Sequence, residues 1–170
     1  MRTGLSGGKR VSANLVAAIR DAVRNCSGNR PLPVFETEMD DVRVSMDRDR
    51  MTSVIENLLR NAQDATADEG TVTIRLSCTE NTAGITIEDS GCGMDAAFIR
   101  DRLFRPFDTT KGDTGMGIGA YECREYVYSL GGEIQVESEP GKGTRLTVVL
   151  PLSRVQHLPE IAHENMESVG

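Results

Sequence analysis

Two glycine clusters carry the residues of this chain best suited to chemistry. The later one, Gly115-Met116-Gly117-Ile118-Gly119, has glycine at every second position and runs into a helical pattern. Glycine lets backbone N–H groups turn toward a phosphate, and a helix start adds partial positive charge. The earlier cluster, Asp89-Ser90-Gly91-Cys92-Gly93, follows an apolar run and sets one carboxylate at the mouth of a strand. A buried carboxylate there could read a hydrogen-bond donor on a base. Between the clusters lies a polar, proline-broken segment with Phe104 and Phe107, the layout of a mobile lid over a nucleotide. A lone Gly-x-Gly-x-Gly is more often a loop than a phosphate cradle, so the rest of the chain must decide.

The elements that would position these residues follow from hydrophobic period. Val11, Leu15, Ala18, Ile19, Ala22 and Val23 keep helical spacing until Asn25 to Asn29 supply a stop. Residues 34–38 and 42–46 read as a hairpin around Met39-Asp40-Asp41, with Pro31 and Pro33 at its edge. The acidic group Glu36, Glu38, Asp40 and Asp41 reads as a solvated face. Asp47 is placed to cap a helix over about 48–67, in which Met51, Val54, Ile55, Leu58, Leu59, Ala62 and Ala65 gather on one side. Asn57, Asn61 and Asp64 fall on a neighbouring strip. Asparagine is a mediocre helix former, so two of them four apart either perform a hydrogen-bonding task or simply face water.

Thr71 to Cys78 alternates, and a second strand over 84–88 ends at Asp89. A short helix is expected over 95–102, then a polar tract over 108–114. Residues 118–130 read as a helix with Cys123, Val127 and Leu130 inward, ended by Gly131-Gly132. A hairpin of 133–138 and 144–150 turns at Pro140-Gly141-Lys142-Gly143 and is closed by Pro151. The sum is an α+β fold: a two-layer α/β sandwich, its mixed, mostly antiparallel sheet covered on one face by three main helices. Residues 1–10 read as a linker, 11–152 as the domain and 153–170 as a polar tail.

Composition narrows the function. With 26 acidic against 19 basic side chains the formal charge is -7, which argues against a nucleic-acid or anionic-membrane surface. Aromatic residues make up 4% with no tryptophan, leaving little for a base-stacking platform. Four cysteines at 26, 78, 92 and 123 form no C-x-x-C pair and stand in no metal-ligand spacing, which fits a reducing compartment. Cys26, Cys78 and Cys123 read as small core or boundary residues, whereas Cys92 sits between two glycines, where a thiol could be exposed. No signal peptide is visible and no run approaches the roughly 20 apolar residues of a membrane span.

Four boxes stand in one order: ENLLRNAQDA at 56–65, EDSGCGM at 88–94, RLFRPFDTTKG at 102–112 and GMGIGA at 115–120. That order resembles the catalytic ATP-binding domain of sensor histidine kinases, of the Bergerat or GHKL type shared with gyrase B and MutL. GKGTRLTVVLP looks like the family's closing strand, and the likeness covers about 140 residues, from roughly Val11 to Pro151. The run from Arg102 to Tyr126 is more narrowly similar to PrsK-type kinases of PEP-CTERM systems.

The resemblance implies roles residue by residue. Asn61 would ligate a Mg²⁺ ion bridging the ATP phosphates, a hard cation that keeps several waters and so suits a single amide oxygen. Asn57 would support the same shell, and Glu56 is the nearby candidate for proton handling. Asp89 would accept from the adenine amino group, with Gly91 and Gly93 letting the loop pass close to the base and Thr144 helping to hold Asp89 and a water. Gly115, Gly117 and Gly119 would wrap the phosphates, Lys111 would offer a mobile charge, and Thr110, Met116 and Ile118 belong to the same nucleotide contacts. Phe104 and Phe107 would anchor the lid.

The family transfers the γ-phosphate to a histidine on a separate helical dimerisation domain, and from there to a response regulator. No matching acceptor segment is found in these 170 residues, and His157 and His163 of the tail read as bystanders. Gyrase-type ATPases carry a glutamate base where this chain has Asn57, which implies transfer with weak hydrolysis. An ATP-sensing module without transfer, or an anti-sigma-type serine kinase of the same fold, are the alternatives. The resemblance implies a cytoplasmic domain of a membrane-anchored sensor, with no nucleic-acid partner and no membrane contact of its own.

Overall fold

Asn14 decides how the chain begins. The computed structural model describes residues 10–93 and 120–153, and in it Val11–Asn14 is a strand, β1, which hands over to helix α1, Leu15–Asn25. The helix expected from Val11 therefore starts four residues later. Asn14 sits in extended geometry, and its Oδ1 accepts the Val16 N–H at 3.0 Å, a side-chain cap on an otherwise unsatisfied donor. The same oxygen accepts the Val42 N–H at 3.1 Å, while Leu15 N–H donates to the Val42 carbonyl at 2.7 Å.

Those bonds overturn the expected hairpin of residues 34–38 with 42–46. β3, Arg43–Met46, pairs antiparallel with β1, Val11 opposite Met46, because Val42 is already held at the β1–α1 junction. β2, Pro33–Glu36, joins a different sheet and runs parallel to β4, Val72–Cys78. Alternation marked both strands but carried no record of their partners. Pro33 opens β2 at the sheet edge, a position where a missing N–H costs least.

The main sheet has the order β2-β4-β5-β7-β6, where β5 is Thr82–Asp89, β6 is Glu133–Glu139 and β7 is Gly143–Pro151. Only the β2–β4 pair is parallel, so the sheet is mixed and mostly antiparallel as expected. Val72, Ile74, Leu76, Ile85, Ile87, Val148 and Leu150 form its buried face. Among the described residues, α1, α2 (Arg48–Asp64) and α3 (Ala120–Ser129) cover that face. Leu15, Ile19, Met51, Ile55 and Leu59 are fully buried between the layers, each contributing about 1.5–3 kcal/mol relative to exposure.

Caps place the ends of the helices. Asp47 accepts the Arg50 N–H at 3.2 Å at the start of α2, and the helix closes at Ala65, two residues before the expected end. After α3, Gly131 takes φ +86, and the N–H groups of Gly131 and Gly132 reach the carbonyls of Tyr128 (2.9 Å) and Val127 (3.0 Å), a Schellman closure. Ser153 is buried and donates its N–H to the Arg43 carbonyl at 2.8 Å. The short helix over 95–102 and the tail from 154 lie outside the described residues.

The opposite face of the sheet is polar. One row of ion pairs crosses all five strands: Glu36 to Arg75 (2.8 Å), Arg75 to Glu88 (2.6 Å), Glu88 to Arg145 (2.6 Å) and Arg145 to Glu137 (3.6 Å). Arg75 and Arg145 hold the Glu88 carboxyl below the usual range. Exposed pairs of this kind add little stability singly, but opposite charges in register do favour this strand order over a slipped one. Glu36, expected on a solvated face, is thus exposed and paired.

Replacing Asn14 by Ala removes the α1 cap and the tie to β3 together. Urea denaturation is expected to show a loss of about 1–2 kcal/mol with an unchanged m-value.

Candidate functional site

Asp89 ends β5 in phase with Ile85 and Ile87, so the alternation turns its carboxylate to the helix-covered side. It is about half buried. Burial pushes its carboxyl pKa up, while the backbone N–H groups of Gly91 and Thr144 pull the other way, and burial wins. The Gly91 N–H reaches Oδ1 at 2.9 Å. Asp89, Thr144 and Ser138 lie opposite one another on β5, β7 and β6. Thr144, expected to help hold Asp89, meets it through its backbone N–H. Its hydroxyl lies 2.8 Å from that of Ser138, which in turn lies 2.9 Å from the Gly143 carbonyl.

The glycines after Asp89 have a packing reason that spacing did not suggest. A Cβ on Gly91 would stand 2.2 Å from the Ala65 carbonyl oxygen, and the same carbonyl accepts the Cys92 N–H at 3.0 Å. Gly93 adopts φ +75, with its missing Cβ 1.9 Å from the Glu139 carbonyl oxygen. Gly143 adopts φ +95 and presses on the Asp89 carbonyl, where a Cβ would come within 2.1 Å. The Gly141 N–H completes the clamp with a 2.6 Å bond to the Cys92 carbonyl. The loop is therefore fixed between the end of α2 and the β6–β7 turn. Cys92 itself is exposed, as its setting between glycines implied.

Ala65 also ties this loop to the asparagine strip. Its N–H donates to the Asn61 carbonyl at 3.2 Å, one turn back along α2. Asn61 Nδ2 donates to Asn57 Oδ1 at 3.3 Å, and the Cys123 thiol of α3 lies 3.5 Å from the same oxygen. The strip thus has a hydrogen-bonding task on the α3 side. With its nitrogen turned to Asn57, the amide of Asn61 carries its oxygen on the other side, a hard neutral donor of the type Mg²⁺ accepts alongside water. Among the described residues no group of three His, Cys, Asp or Glu could hold a metal by itself, so the donor set fits an ion that arrives with its own oxygen ligands.

Glu56 is not brought to this pair. Its carboxylate bonds to the Asn25 side-chain amide at the end of α1 and lies 3.7 Å from Arg60, on the flank of α2 that faces α1. The helical step of roughly 100° explains the divergence, because adjacent residues cannot share a face. Phe107, Thr110, Lys111, Gly115, Met116, Gly117, Ile118 and Gly119 lie outside the described residues, as do Phe104 and the lid.

Residues without a sequence signal also shape the site. Cys123 is fully buried with its thiol pKa pushed up to about 12 by burial, so it is a protonated donor. Tyr126 lies beside it on α3, and its hydroxyl accepts the Asp47 N–H at 3.0 Å, joining α3 to the cap of α2. Gly143 was legible only as a turn residue. An open depression of about 1020 Å³ includes Arg75, Glu88, Glu137 and Arg145 in its lining. It also reaches Asp89 and Thr144, but Asn57 and Asn61 do not line it.

The histidine kinase-, DNA gyrase B- and HSP90-like ATPase family model matches residues 46–154. The chain is 39% identical over 127 residues to the C4-dicarboxylate transport sensor protein DctB of Rhizobium meliloti, covering 68% of this chain and 20% of that protein. It is 38% identical over 119 residues to the sensor histidine kinase ZraS of Escherichia coli, covering 69% and 25%. The chain thus spans about a fifth to a quarter of the curated relatives it matches. The solved catalytic domain of histidine kinase ThkA superposes with a TM-score of 0.72 at 27% identity, covering 84% of this chain and 95% of that one. A structure of ThkA in complex with the response regulator TrrA superposes with a TM-score of 0.70 at 26% identity, covering 85% and 42%.

The raised pKa of Asp89 makes a pH prediction. The folded chain holds this proton more tightly than the unfolded one, so stability from this group is complete below the unfolded value of 3.8 and is lost as pH rises through the folded value. Asp89→Asn is therefore expected to be more stable than the parent at pH 7 without ligand. Paired urea titrations should show that advantage shrink toward pH 4.

Proposed function

Because the chain belongs to the histidine kinase-, DNA gyrase B- and HSP90-like ATPase family, and so carries an ATP-binding domain, we propose that it donates the ATP γ-phosphate to a histidine on a separate dimerisation domain. The observation that carries this reading is the Asn57–Asn61 amide pair on α2. Amides stand where a hydrolase would hold a water-activating carboxylate, and the neighbouring Glu56 is bonded to Asn25 and Arg60 instead. Such a site positions phosphates and leaves the nucleophile to the acceptor.

Phosphoryl transfer asks for placement and charge stabilisation more than for covalent help. Asp89 accepts from the adenine amino group, which compensates a carboxylate whose burial is otherwise unfavourable. The clamp of Gly91, Gly93 and Gly143 holds that acceptor in one place. Asn61 offers its side-chain oxygen to Mg²⁺, with Asn57 orienting it, and the ion supplies neutralisation of the phosphate charge. The phosphate-wrapping role stays with Gly115, Gly117 and Gly119, and the mobile charge with Lys111. On its similarity to sensor kinases, we further assign the domain to the cytoplasmic side of a membrane-anchored sensor, upstream of a response regulator.

Mixing the chain with a matching dimerisation domain and γ-labelled ATP is expected to give acid-labile phosphate on that domain. Acid-stable phosphoserine on a partner, or ATP binding with no transfer to any cognate acceptor, would overturn the assignment. In a thermal-shift titration, saturating Mg²⁺–ATP at about 100 times Kd should stabilise the parent by about 2.7 kcal/mol. Asn61→Ala is expected to lose the Mg²⁺-dependent part, and an unchanged shift would remove Asn61 from the metal site.

A further inference from the structure

We propose that Cys123 is a positioning residue for the metal-binding amide: its thiol holds the Asn57 side-chain oxygen and, through it, keeps the Asn61 oxygen turned to the phosphates. The proposal rests on the role of Asn61 given above. It adds a residue from α3, the helix that follows the second glycine cluster directly in sequence.

A side-chain carbonyl oxygen has two lone pairs. At Asn57 Oδ1 they face two donors, Asn61 Nδ2 at 3.3 Å and Cys123 Sγ at 3.5 Å. Asn57 and Asn61 stand four apart on α2, so the first donor comes along the helix. The second comes from across the α2–α3 contact. Rotating the Asn57 amide by half a turn would set its NH₂ against the Asn61 NH₂ and take from the thiol proton the oxygen it meets at 3.5 Å. With Asn57 fixed this way round, the Asn61 amide can donate to it only through nitrogen, which leaves the Asn61 oxygen outward.

The thiol is well placed to do this. Cys123 is 0% exposed, so water does not compete for its proton. Its other neighbour, the Val54 carbonyl, is farther at 3.8 Å. Tyr126, one turn along α3, receives the Asp47 N–H, which fixes the register of α3 against α2 and keeps the sulfur at this height. A cysteine in a core is ordinarily a small apolar filler. A filler would be replaced by valine without consequence for metal binding, and that difference is measurable.

The experiment compares Cys123→Ala, Cys123→Val and Cys123→Ser in the whole chain, by calorimetric ATP binding in Mg²⁺ and in EDTA. Ala and Val are expected to weaken binding in Mg²⁺ about 5- to 10-fold, the order of one lost buried hydrogen bond, with binding in EDTA unchanged. Ser, which keeps a donor, is expected to recover to within about twofold of the parent. Parent-like Mg²⁺ binding in Val would overturn the proposal, and so would an equal loss in Mg²⁺ and EDTA, which marks a packing defect. Asn61→Ala run alongside separates the two levels. If it abolishes Mg²⁺ dependence while Cys123→Val does not, Cys123 alone is wrong; if Asn61→Ala retains it, the metal role falls and this proposal with it.

Discussion

The meeting of two backbones at Ala65 and Cys92 is the constraint on which the rest of this site depends. The Ala65 carbonyl ends α2 and accepts the Cys92 N–H, while Gly91 passes close enough that any Cβ would collide. From the other side the β6–β7 turn closes on the same loop through Gly93, Gly141 and Gly143. A backbone approach this close demands glycine and tolerates no slack. Its effect is to tie the carboxylate at the end of β5 to the amide strip of α2, one turn from Ala65.

Held in that way, the two ends of the site face opposite electrostatic problems. Asp89 is placed where burial disfavours its charge, a cost that the hydrogen-bond donor proposed for it would relieve. The Asn57–Asn61 pair of α2 is uncharged and offers amide oxygen. Meanwhile the opposite face of the sheet binds its charges to one another from Glu36 through Glu137.

The α2–α3 contact adds the element that composition hides. Tyr126 closes on the cap residue of α2, and Cys123 reaches the strip nearly three turns further along. Neither residue type announces such a task. Both read as interior positions of an amphipathic helix, which they also are.

Sequence alone determined most of the element types, though it read strand β1 as the start of a helix, together with the two-layer α+β class and the positions of the four boxes, because these depend on local period, caps and glycine spacing. Asp47 as a cap, the strand ending at Asp89 and the Gly131-Gly132 stop were all legible in this way. Strand partners were not. The hairpin expected of residues 34–46 failed because alternation specifies a face but no neighbour, and the choice was made by Asn14, far along the chain, capturing Val42. The reach of Glu56 was equally hidden, since one helical step sends it to Asn25 while Asn57 turns to Cys123. Contacts of this kind join residues 28 to 66 positions apart, and only the packed tertiary structure, in which layers meet at fixed distance and angle, decides which side chain finds which partner.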